Sequence, residues 1–92
     1  MKFEEHCEQS EVKFGKRYEE VHRWLDEFAN RYSPSRRYKH RKHRHHKEGV
    51  EEARKVFGDL GALVAEDHIR SENYGYLPSP EDYNLPEYDD DF

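Results

Sequence analysis

Residues 34–58, PSRRYKHRKHRHHKEGVEEARKVFG, are the stretch on which the fold turns. Ser33 followed by Pro34 reads as a helix N-cap with proline in the first turn, and Gly58 reads as a stop. Between them Tyr38, His45, Gly49, Ala53 and Val56 recur on one helical line, with His46 and Phe57 on its shoulder. The pattern predicts one helix running to Phe57. Glycine costs about 1 kcal/mol against alanine in a helix interior, so Gly49 on the inward line predicts that another backbone passes close by. Residues 36–47 carry seven of the sixteen Lys and Arg and four of the seven His. On a straight helix His40 faces away from His45. The two can share a site only if the helix kinks or another chain approaches.

Working outward, Val21, Leu25, Phe28 and Tyr32 line the inward face of a preceding helix, widened by Trp24 and Ala29. This helix is expected to end before Ser33. Nearer the N-terminus, Phe3, Cys7, Ser10 and Phe14 form the stripe of a short first helix stopped by Gly15. After Gly58, a fourth helix is predicted from Asp59 to Ser71, with Leu60, Leu63, Val64 and His68 on one side. From Asn73 onward Tyr, Pro, Gly and acids dominate, and Ser79-Pro80-Glu81-Asp82 can begin one more turn. The expected fold is all-α: a small bundle of about four helices with an irregular, acidic, Tyr/Pro-rich C-terminal segment. Residues 1–83 read as one helical domain and 84–92 as an acidic tail, disordered unless something captures it.

Ninety-two residues, 33% hydrophobic and 40% charged, allow only a thin core, which the 14% of aromatic residues partly compensates. A second copy of the chain would complete such a core, so a homo-oligomer is expected. Cys7 is the only cysteine, which excludes an intrachain disulfide and points to a reducing, cytoplasmic setting. No apolar run approaches the ~20 residues of a membrane span, so no membrane association is expected. The formal net charge of −5 hides an asymmetry: residues 81–92 hold six acids and no base. That polarity predicts an anionic partner for the basic middle, or the tail folding back on it.

Three constellations carry chemistry. Imidazole and carboxylate together suit a divalent transition metal such as Zn, Fe, Mn or Ni. A helical bundle can bring His22 and Asp26 towards His45 or His46, with His68 and neighbouring Asp67 closing the set. The plainer reading makes these histidines semi-buried and satisfied by Asp or backbone partners. Arg41, Arg44 and Lys47 share one side of the central helix, and Arg37 extends the row, which suits phosphate. Tyr38 and Tyr32 offer rings for stacking on a base. The acidic whole disfavours duplex DNA, so a nucleotide or another anionic small molecule fits better. His22 and Asp26, four apart, also form a candidate catalytic proton-transfer pair, although such pairs often serve only to stabilise a helix. No serine has a nucleophile-elbow context and Cys7 has no activating base nearby in sequence, so covalent catalysis is not expected. Four histidines within seven residues would also suit a pH sensor.

His22-Arg23-Trp24-Leu25-Asp26 resembles an IHxWxD element, and the run from Tyr38 to Gly49 resembles FRHRxxRHHxxG. Val56-Phe57-Gly58, Asp67-His68-Ile69 and a Gly-x-hydrophobic-Pro-x-x-x-Asp element at Gly75 to Asp82 follow. That order is similar to a family of short bacterial and phage-associated His/Arg-rich proteins known only as a domain of unknown function. The resemblance covers most of residues 6–83. Carried over by position, it implies roles for His6, His22, Asp26, His40, Arg41, Arg44, His45, His46, Gly49 and His68, and none for His43. The Gly15–His22 link and the Gly58–His68 segment are shorter than in that pattern.

Three functional expectations follow. The first is a metal-assisted, phosphohydrolase-like site: His22, Asp26, His45, His46 and His68 hold the ion, while Tyr38, His40, Arg41 and Arg44 meet the ligand. The second is a non-catalytic binder of a nucleotide or short nucleic acid, with an anti-defence or regulatory role conceivable from its phage relatives. The third is an oligomeric structural module. The sequence leaves open whether the protein is an enzyme.

Overall fold

The computed structural model describes residues 2–90 and is all-α. Helices α1 (Phe3–Phe14), α2 (Glu19–Leu25), α3 (Arg41–Arg44) and α4 (Lys47–Glu72) are joined by 3-10 turns at Glu27–Arg31 and Pro34–His40. Two further 3-10 turns, Pro80–Tyr83 and Pro86–Tyr88, belong to the irregular C-terminal segment. The acidic tail of residues 84–92 is described only as far as Asp90.

Helices α2 and α4 enclose the core of Val21, Leu25, Val50, Ala53, Ala62, Val64, Ala65 and Ile69. Phe14, Tyr18, Trp24, Phe57 and Leu77 close its edges. The alanines on α4 let α2 approach closely, while each buried Val, Leu or Ile contributes about 1.5–3 kcal/mol. Helix α1 is pinned to α4 by polar contacts. Gln9 Nε2 donates to Asp67 Oδ2 (2.8 Å) and Ser71 Oγ (2.6 Å), and Lys13 Nζ pairs with Asp67 Oδ1 (2.6 Å).

The stretch read as one helix from Pro34 to Phe57 is three pieces. A 3-10 turn leads into the single turn of α3, and the chain then breaks at His45 (φ −87°, ψ 57°) and His46 (φ −157°, ψ 178°). Several backbone groups at the break find partners outside the helix ladder, as buried polar groups require. Gly49 N–H donates to His46 Nδ1 (3.1 Å), Lys47 N–H to Pro78 O (2.8 Å), and Tyr83 Oη–H to His45 O (2.8 Å). The Tyr/Pro-rich segment thus braces the break. Gly49 sits where a Cβ would lie 1.8 Å from Arg44 O, so the close backbone that its position predicted is the turn just before the break.

Two other expectations needed correction. The helix of Val21 ends at Leu25 rather than at Tyr32, and the chain tightens into 3-10 geometry. Val56, Leu60 and Leu63, expected to face inward, are 59%, 46% and 52% exposed. Gly58 (φ 84°, ψ −176°) interrupts α4 and offsets the helical phase of its second half, so Ala62, Val64, Ala65, His68 and Ile69 face the core instead.

The tail lies on the basic middle. Lys39 Nζ donates to Asp89 O (2.7 Å), Lys42 Nζ to Tyr88 O and to Asp90 Oδ1 (both 2.6 Å), and Tyr38 Oη to Glu87 O (3.1 Å). Asp91 and Phe92 lie outside the described residues.

Candidate metal centre

The break at His45 decides the site's geometry. A straight helix would turn His40 away from His45; here their rings meet edge to face at 4.9 Å. Both reach Asp26, just past the end of α2, with His40 Nε2 3.0 Å and His45 Nε2 3.2 Å from its Oδ1. From α4, His68 Nε2 comes within 3.7 Å of the same oxygen. Glu72, one turn beyond His68, completes the set. Its Oε1 is 3.0 Å from His6 Nε2 and 3.5 Å from His68 Nε2, and its Oε2 is 3.2 Å from His45 Nδ1 and 3.5 Å from Arg41 Nε.

Hydrogen-bond direction assigns the protons. A carbonyl oxygen can only accept. His45 Nε2 lies 3.2 Å from Leu25 O and so carries a proton there, which leaves Nδ1 of the neutral ring bare towards Glu72. His40 Nδ1 donates in the same way to Arg37 O, which leaves its Nε2 bare towards Asp26. Backbone carbonyls commonly orient metal-binding histidines in this manner. The consequence is a set of lone pairs facing carboxylates. Among the described residues, His45 Nδ1, His68 Nε2, Glu72 Oε2 and Arg41 Nε are buried without a hydrogen-bond partner. The first three are atoms of the kind that ligate metals.

Their spacing suits an ion. With bonds of 2.0–2.2 Å, neighbouring ligand atoms lie about 3.0 Å apart in an octahedral site and about 3.4 Å apart in a tetrahedral one. The separations of 3.2, 3.5 and 3.7 Å among His45, His68, Glu72 and Asp26 run from between those values to slightly above the tetrahedral one. Asp26, His45 and His68 each present a ligand atom within 4.8 Å of the others'. His6, His22 and His68 also meet that distance. However, His6 and His68 are stacked, with centroids 3.7 Å apart and planes 15° apart. Lone pairs in stacked parallel rings do not converge on one ion. His6 holds Glu72 rather than forming a second site.

The electrostatics agree. Burial would raise the pKa of Asp26, but the adjoining His40 and His45, once protonated towards it, outweigh burial and hold the carboxyl well below the usual range. Burial would raise Glu72 too, but His45, His6 and His68, when protonated beside it, draw it far down. Burial opposes charge on His45, yet the adjoining Asp26 and Glu72 raise its pKa. His68 is lowered, chiefly by burial. Burial, followed by the nearby His68 and His6, pulls His22 down to about 4.

A cavity of about 470 Å³ opens over the centre. Asp26, His40, Arg41 and Glu72 line its inner side, and Lys2, Phe3, Ala29, Arg37 and Tyr38 line the rest. Arg41 thus lines the cavity while its Nε lies 3.5 Å from Glu72 Oε2.

Other expected site residues lie elsewhere. Arg44 is stacked on Trp24 (4.1 Å) and Phe28 (4.7 Å) and donates to Trp24 O (2.6 Å), so it packs the α2 end rather than meeting a ligand. His46 caps α4 through Nδ1, and its Nε2–H donates to Lys42 O (3.1 Å), which leaves no lone pair for a metal. His22 is buried with Nδ1 2.8 Å from His68 Nδ1 and Nε2 2.7 Å from Ser10 Oγ; neither nitrogen is free to ligate. Asp67 is engaged by Gln9 and Lys13. His43 packs on Phe28 and shares a hydrogen bond with Tyr32 Oη (3.0 Å), outside the centre. Glu72 was missed by sequence reasoning although it stands four residues after His68, a helical ligand spacing.

The chain belongs to the family described as Domain of unknown function (DUF6915), which matches residues 1–87. No curated protein and no solved structure matches it. Among the described residues no helix is long and apolar enough to cross a membrane.

Proposed function

We propose that His45, His68, Asp26 and Glu72 hold one divalent transition metal, and that the cavity above presents a phosphate-containing ligand to it. The observation that carries this reading is the trio of buried, partnerless ligand atoms, His45 Nδ1, His68 Nε2 and Glu72 Oε2. With neither a proton nor an ion between them, three such groups would cost several kcal/mol, at about 1–3 kcal/mol each. A cation removes that cost. His40, with its bare Nε2 towards Asp26, stands at the cavity side as a further donor.

Charge counting supports the ligand class. One divalent ion neutralises Asp26 and Glu72, so Arg41, Arg37 and Lys2 at the cavity remain as surplus positive charge. A phosphate group answers both the open metal positions and the guanidinium forks. When bound, the ion would supply Lewis-acid polarisation of a phosphoryl oxygen or of a water. Arg41 would orient and neutralise the anion, and Tyr38 would wall the ligand's remaining part. A holding role and a hydrolytic role share this geometry, and turnover separates them.

Titration calorimetry with inorganic phosphate tests the reading, using metal-loaded and metal-stripped protein at two salt concentrations. Phosphate should bind the loaded protein, weaken with salt, and weaken about tenfold or more in Arg41→Gln. Equal phosphate affinity with and without metal would overturn it. Release of phosphate from an aryl phosphate ester, measured alongside, distinguishes catalysis from capture.

A further inference from the structure

One buried chain of polar groups has no part in the cavity. Ser10 on α1, His22 on α2 and His68 on α4 are each 1% exposed. They are joined by contacts of 2.7 Å (Ser10 Oγ to His22 Nε2) and 2.8 Å (His22 Nδ1 to His68 Nδ1). We propose that His22 is a positioning residue: its Nδ1 accepts the Nδ1–H of His68 and so holds His68 in the tautomer whose Nε2 lone pair faces Asp26 and Glu72. The proposal rests on the reading of the centre as a metal site.

Two neutral imidazoles joined Nδ1 to Nδ1 share one proton, and its owner fixes both tautomers. If His22 owned it, His68 would carry its proton on Nε2, a buried donor 3.5 Å from Glu72 Oε1 and 3.7 Å from Asp26 Oδ1. Those distances are too long for N–H···O bonds, and a protonated Nε2 binds no metal. If His68 owns it, Nε2 is bare and ready to ligate. His22 then carries its second proton on Nε2, where Ser10 Oγ accepts it. The chain ends at Ser10 in the core, so it holds a tautomer rather than shuttling protons to solvent. His22 plays for His68 the part that Leu25 O plays for His45 and Arg37 O plays for His40. All three histidines are thereby set with one nitrogen bare.

The test is a nitrogen-15 NMR measurement of histidine tautomers in the full chain, metal-free and zinc-loaded, with two variants at position 22. The His68 Nδ1–H tautomer is expected in both states of the wild type; the Nε2–H tautomer in metal-free protein would overturn the proposal. In zinc titrations His22→Asn, whose Oδ1 sits where His22 Nδ1 sits, should stay within about threefold of the wild type. His22→Leu should lose about 10–100-fold, the usual cost of losing an outer-shell partner. A packing role predicts the reverse order, because leucine suits a buried site better than asparagine. Leu binding zinc as well as Asn would therefore also overturn the proposal. A wild type that binds no zinc refutes the metal reading, whereas the metal-free tautomer still tests the lock.

Discussion

Glu72→Gln separates a metal centre from a structural polar cluster. The change keeps shape and removes one charge from a side chain that is 7% exposed and touches His6, His45, His68 and Arg41. In metal-free protein the carboxylate is held by His6, His45 and His68 against its burial, so the variant should already be less stable than the wild type without metal, by at most the roughly 3–5 kcal/mol of a broken buried pair. With metal at 100 times Kd, the wild type gains about 2.7 kcal/mol, which raises Tm by roughly 10–20 °C in a domain of this size. Loss of the anionic ligand should weaken binding by 100-fold or more, and the same concentration would then add only about 0.4 kcal/mol. Differential scanning calorimetry of both proteins, with and without metal, reads both numbers. An equal metal-induced shift in Glu72→Gln and wild type would refute the assignment of Glu72.

Gly49→Ala should destabilise by more than about 3 kcal/mol, because its Cβ would meet the Arg44 backbone; urea unfolding checks this. His46→Ala should cost about 1 kcal/mol through the lost cap while leaving metal stoichiometry unchanged, and His46→Asn should restore most of that stability. The metal-free protein should be most stable near pH 6.5. As pH falls from 6.5 towards 4, the unfolded chain protonates a histidine that buried His22, lowered to about 4, does not, a loss approaching roughly 3 kcal/mol. As pH rises above 6.5, the contribution of His45, whose folded pKa is raised, is lost in turn. Metal should abolish this alkaline loss by taking the proton's place, which a pH series of unfolding curves with and without zinc will show.

Much of the centre was legible from spacing. His45 and His68 fall on one side of amphipathic segments with apolar residues and Asp26 on the shoulder of another, and that periodicity reports burial reliably enough to bring them together. Glu72 was lost because the fourth helix was ended at Ser71, one residue early, although helix ends are the least determined feature of a periodic pattern. His40 was misdirected because residues 34–57 contain no proline after the first turn, and nothing local marks a break at His45. The break is made by distant groups, Pro78 O and Tyr83 Oη, which no local propensity reveals. Gly49 was its one trace. The misjudged face of Val56, Leu60 and Leu63 has a similar origin, since Gly58 was recognised as a boundary but not as a change of phase. His22, His46 and Arg44 carry metal- and anion-binding chemistry in their side chains, yet each is engaged by its own chain, a distinction that residue type cannot make.

Elemental analysis of tag-free protein purified without chelator, followed by X-ray absorption at the edge of whichever metal is found, tests the central claim most directly. The account predicts about one transition-metal ion per chain, with two histidine nitrogens and carboxylate oxygens at roughly 2.0–2.2 Å, and loss of the ion in a His45→Ala, His68→Ala double variant. Protein that holds well under one ion per chain, and takes up none when zinc, iron, manganese or nickel is added, would contradict it.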